Sequence, residues 1–159
     1  MKKLKLYMFL GFIFTSVAGC LAHFFYDWSG QNVIVGLFTP INESTWEHLK
    51  LLFFPALLWS LLIYKPLKQD FPKILCILFI GILAGTLAIP IIFYLYTGIL
   101  GFNILLLDIG TFILSVAVTF LTAYCQAVSL NSNKYSCLMA YIGILVITLS
   151  FFIVTFVTL

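Results

Sequence analysis

A chain of 159 residues that is 64% hydrophobic and only 8% charged, with a mean hydropathy of +1.19, lies outside the range of soluble domains, in which about a quarter of residues carry charge. It reads as a single integral membrane domain with no room for a soluble module. The net charge of +3 comes wholly from lysine, and the lysines are scattered among short connections, which excludes a nucleic-acid-binding patch and leaves a topology signal.

A membrane-crossing helix needs roughly 20 mostly apolar residues. Five segments meet that need, at about 6–26, 45–64, 74–96, 104–126 and 136–158, and they predict an all-α, polytopic membrane helix bundle. With the amino terminus cytoplasmic, Lys2, Lys3, Lys5, Lys65, Lys68, Lys73 and Lys134 all fall inside and only Lys50 lies toward the other face; the opposite orientation inverts that split. The expected protein is therefore a multi-pass cell-membrane protein with its carboxyl terminus extracytoplasmic.

The first span starts with Lys2, Lys3 and Lys5 and passes through Val17-Ala18-Gly19-Cys20, which has the look of a lipoprotein signal ending at an acylated cysteine. The apolar run continues through Phe24, Phe25 and Tyr26, however, and a full uncleaved span is the preferred reading. His23 and Asp27 stand four residues apart near its outer end, on one helix face, where the carboxylate can orient the imidazole. Residues 28–38 are Gly-rich and apolar, and the loop 28–44 that contains them is too short to span twice and is expected to lie along the outer interface or to fold back as a lid.

The second span opens with the densest polar stretch of the chain, Thr-Pro-Ile-Asn-Glu-Ser-Thr-Trp-Glu-His-Leu-Lys from Thr39 to Lys50. Ser44-Thr45-Trp46-Glu47 matches a capping box, in which Ser44 accepts from the Glu47 amide and the Glu47 side chain returns to the Ser44 amide. Alternatively, Thr39-Pro40 starts the helix earlier, and Glu43 and Glu47 then become like charges one turn apart that need a proton, Lys50 or a metal between them. Trp46 suits the interfacial belt, and Lys50 can snorkel outward beside it.

On the third span Gly81 and Gly85 form a face for close helix packing, while Pro55 and Pro90 lie inside spans as potential kinks. The fourth span carries Asp108 about one turn from its outer start. Asp108, Thr111, Ser115, Thr119, Thr122 and Gln126 share a stripe of roughly 80° on an ideal helix. Such a stripe is either close packing by small hydroxyl residues or a polar track for protons or a small solute. Cys20, Cys76, Cys125 and Cys137 show no metal-ligand spacing and are expected to be inert buried thiols with no disulfide.

Two segments, His23-Phe24-Phe25-Tyr26-Asp27-Trp28-Ser29-Gly30 and Asn42-Glu43-Ser44-Thr45-Trp46-Glu47-His48 through Pro55, resemble a family of small bacterial integral membrane proteins of unknown function with an Asn-Glu-Ser-x-Trp-Glu-His motif. The resemblance covers the first 65 or so residues and the rest only by hydropathy. It implies that positions 23 to 48 form the site, and it brings no activity with it.

Ionisable groups inside a span are costly and mark functional sites by default. The first, second and fourth spans bring His23, Asp27, Glu43, Glu47, His48 and Asp108 to one membrane boundary. Glu47 and His48 are the catalytic candidates; His23, Asp27, Asn42, Glu43, Trp46 and Asp108 are binding candidates; and His23, Glu47, His48 and Asp108 are candidate ligands for a divalent metal. The leading expectation is a polar, metal-dependent site for a small polar ligand or lipid headgroup. The competing expectations are a proton- or ion-coupled transporter, which with five helices needs a homodimer, and a non-catalytic subunit gripping a membrane partner.

Overall fold

The computed structural model describes residues 1–129 and 134–158. The described chain is all-helical: α1 (Lys2–Trp28), α2 (Val33–Gly36), α3 (Thr45–His48), α4 (Lys50–Leu67), α5 (Ile74–Leu100), α6 (Leu105–Ser129) and α7 (Lys134–Thr158). Five helices are long and apolar enough to cross a membrane, with α3 and α4 joined as one stretch, Thr45–Leu67. The join tightens where the Leu49 amide bonds the Trp46 carbonyl at 3.2 Å, but Leu49 keeps helical dihedrals and the direction carries on.

These helices outrun their apolar windows, because a helix is stopped by local backbone chemistry and not by the edge of the apolar run. Gly101 ends α5 with φ of +79°, a left-handed turn that glycine adopts without steric cost, and its amide bonds the Thr97 carbonyl. Pro55, Pro66 and Pro90 are carried inside α4 and α5.

The long helices alternate in direction. At one end of the bundle Lys3 reaches the Pro66 carbonyl and Asp70, and Cys76 meets Cys137; this is the lysine end. At the other, the histidine end, α1 finishes beside α3, α5 turns into α6, and Thr155 of α7 contacts Lys50. Helix α5 is central and packs on α4, α6 and α7, while α1 packs on α4 and α6. Leu52, Ile63, Leu67, Ile74, Leu78, Ile82 and Val116 are fully buried between them.

Close approach of α5 and α6 depends on glycine. A Cβ at Gly81 would run into the Thr119 carbonyl oxygen, and one at Gly85 into the Thr119 hydroxyl. Thr111, Ser115 and Thr119 of the polar stripe are buried, and the Thr119 hydroxyl bonds back to the Ser115 carbonyl at 3.1 Å. This part of the stripe is a helix-packing seam.

One expectation is corrected here, and one of two alternatives is decided. Cys76 and Cys137 form a disulfide, with Cα atoms 5.2 Å apart, and Cys20 and Cys125 are exposed, so none of the four is an inert buried thiol. The helix does not start at Pro40 but at Thr45, because Ser44 caps it. Within the connection 29–44, Gly36 and Thr39 are buried and Phe38 packs edge-on against Phe54 and Phe152.

Candidate functional site

The Ser44 hydroxyl accepts from the Glu47 amide at 3.3 Å, which is the first half of a capping box. The second half does not form. The Ser44 amide is taken by the Asn42 side chain at 3.0 Å, and the Glu47 carboxylate turns away from the cap. Its Oε2 accepts from the Ile41 amide at 3.1 Å and from Lys50 at 2.7 Å. Lys50, expected to snorkel outward, is instead fully buried and also donates to the Gly36 carbonyl and the Thr155 hydroxyl. A lysine one turn into a span can point inward when a carboxylate and two further acceptors take its three N–H groups.

With Glu47 so engaged, Glu43 faces the imidazoles. His23 on α1 and His48 on α3 bring their Nε2 atoms to 3.2 Å. The Glu43 Oε2 lies 3.3 Å from Nε2 of His48 and 3.8 Å from Nε2 of His23. Three ligand-capable atoms therefore form a compact triangle, partly open to the surface through Glu43. Nδ1 of His48 lies 2.9 Å from the Ser44 carbonyl oxygen, which can only accept, so the proton sits on Nδ1 and the Nε2 lone pair faces the triangle. The cap residue thereby sets the tautomer of a ligand candidate four residues on.

A cleft of about 210 Å³ opens beside the triangle, lined by Glu43, Thr45 and His48 on one wall and by Asn103, Asp108 and Thr111 on the other. Asp108 accepts from the Tyr96 hydroxyl through one oxygen and from the Asn103 amide, at 3.3 Å, through the other. Asp108 thus lines the triangle's cleft without joining the triangle. Asp27, expected to orient His23, is exposed, and among the described residues its side chain has no hydrogen-bond or ionic partner; the His23 ring turns to His48. Trp46 packs on Phe151 at 5.2 Å, half-exposed. Asn42 stays exposed and serves the backbone of the cap.

Of the four residues expected as metal ligands, His23 and His48 come together, Glu47 is buried on Lys50, and Asp108 sits across the cleft. Tyr96 was not singled out by sequence. Its only signal is position, at the end of the span that precedes Asp108.

A family model matches the chain over residues 1–159. The chain belongs to the family of unknown function DUF6512. Membership in DUF6512 extends over all five long helices, beyond the first 65 or so residues that carry the motif-level likeness. Neither curated proteins nor solved structures yielded a match.

Proposed function

We propose that this chain is a multi-pass membrane protein that binds a divalent metal through His23, Glu43 and His48 at its extracytoplasmic boundary and presents it to a small polar ligand or lipid headgroup in the adjoining cleft. The triangle carries this reading. Ligand atoms held 2.0–2.1 Å from a tetrahedral zinc are roughly 3.3 Å apart, and the three separations are 3.2, 3.3 and 3.8 Å. Two imidazoles and one carboxylate suit zinc, and the Ser44 carbonyl supplies the outer hydrogen bond that such histidines usually make.

Three protein ligands leave a coordination position for water or a ligand group, the pattern of reactive rather than purely structural zinc. The exposed side of the triangle and the cleft give that position access. Orientation rests on the lysines: seven of the eight belong to the lysine end by chain position, which makes that end cytoplasmic and the triangle extracytoplasmic. Transport through the α6 stripe has weaker support, because its middle residues are packed against Gly81 and Gly85.

The test is metal content of the detergent-purified protein by mass spectrometry. One equivalent of zinc or another divalent ion is expected in the wild type, with loss in His48→Ala and Glu43→Gln and retention in Asp108→Asn. A metal-free wild type, or a metal indifferent to His48 and Glu43, overturns the reading.

A further inference from the structure

The cleft beside the triangle is lined by charge of one sign. Glu43 and Asp108 both face it, and among the described residues no lysine lines it. Lys50, the lysine of this end, is buried and committed to Glu47, Gly36 and Thr155. A divalent ion on the triangle offsets Glu43 but leaves Asp108 on the far wall. The two donors on Asp108, the Tyr96 hydroxyl and the Asn103 amide, are neutral; they hold the carboxylate in place without cancelling its charge.

The remaining lining is apolar and aromatic, with Leu51, Ile89, Phe93 and Phe112. An ammonium group gains from a carboxylate and from nearby ring faces together. A phosphate oxygen is a good ligand for the open position of a divalent metal. A ligand with phosphate alone would leave Asp108 facing a like charge, and one with an amine alone would leave the metal position unused.

We propose that the cleft receives a zwitterionic phosphate ester, with phosphate on the metal and a protonated amine on Asp108, the chemistry of an ethanolamine phospholipid headgroup. This rests on the metal-site reading. The apolar wall of Leu51, Ile89 and Phe112 favours an ester that carries a lipid tail over a free one.

The experiment measures binding of O-phosphoethanolamine and of ethyl phosphate to the zinc-loaded protein in detergent by titration calorimetry, with zinc content read on the same samples. The amine-bearing ester should bind about tenfold more tightly, the scale of one charge-assisted hydrogen bond. Asp108→Asn should erase that preference while zinc content and ethyl phosphate binding hold. Equal binding of the two esters by zinc-loaded wild type overturns this inference alone and needs no variant; zinc-free protein overturns the metal reading and this inference with it. Nanodiscs containing dioleoylphosphatidylethanolamine identify the source: tighter binding than the soluble ester assigns the lipid, and equal binding assigns the free ester.

Discussion

The Lys50 ammonium lies 2.7 Å from Oε2 of Glu47, with 0% and 1% of their side chains exposed. Around that pair three stretches of chain meet: Gly36 and Ile41 from the connection, the start of α4, and Thr155 near the end of α7. The pair settles which glutamate of the Asn42–Lys50 stretch faces the histidines, because a carboxylate held by Lys50 and the Ile41 amide is not free to reach them.

Single substitution of either member should be severe. Lys50→Met strands a buried carboxylate and Glu47→Gln a buried ammonium, each costing about 3–5 kcal/mol. The double variant Glu47→Gln/Lys50→Met should regain most of that loss, since no buried charge is left alone. Thermal unfolding in detergent checks both. Single-variant losses below about 1 kcal/mol, the scale of an exposed pair, would contradict the burial.

The α5–α6 seam predicts opposite signs at neighbouring positions. Gly81→Ala and Gly85→Ala must push the helices apart and should each destabilise by about 1–3 kcal/mol. Ser115→Ala should be neutral or slightly stabilising, because the Ser115 hydroxyl is buried and has no hydrogen-bond partner among the described residues. Melting curves of the three variants decide the matter; a Ser115→Ala protein that melts as early as Gly81→Ala would mean that the hydroxyl has work other than packing.

The cysteine pair and the topology can be tested together. In the proposed orientation Cys76 and Cys137 lie on the reducing side of the membrane, where disulfides are rare. Of the two cysteines, Cys76 is buried and Cys137 partly so. Peptide mapping after alkylation trapping in cells should recover a Cys76–Cys137 cross-linked peptide, and free thiols at both positions would refute the pairing. In a Cys20→Ser/Cys125→Ser background, an impermeant maleimide added to intact cells should label Gln31→Cys and leave Lys68→Cys untouched. The reverse pattern inverts the orientation.

Much of the architecture was legible in composition. Five apolar runs, spaced by polar or glycine-rich connections, dictate five long helices, since a backbone in hydrocarbon must satisfy its own hydrogen bonds. The order of the spans put His23, the Glu43–His48 stretch and Asp108 at one end, and helical periodicity matched Gly81 and Gly85 to the hydroxyl stripe. What periodicity does not carry is the choice among partners within hydrogen-bond reach. Glu43 and Glu47 are the same residue type four positions apart, and only the folded connection, which brings the Gly36 carbonyl and the Ile41 amide beside Lys50, sends Glu47 inward and leaves Glu43 to the imidazoles. The capping box failed at its second bond for the same reason, as Asn42 reached the Ser44 amide. Cys76 and Cys137 are 61 residues apart, and their pairing depends on α7 lying against α5, a contact decided by packing between helices and not by any pattern along one.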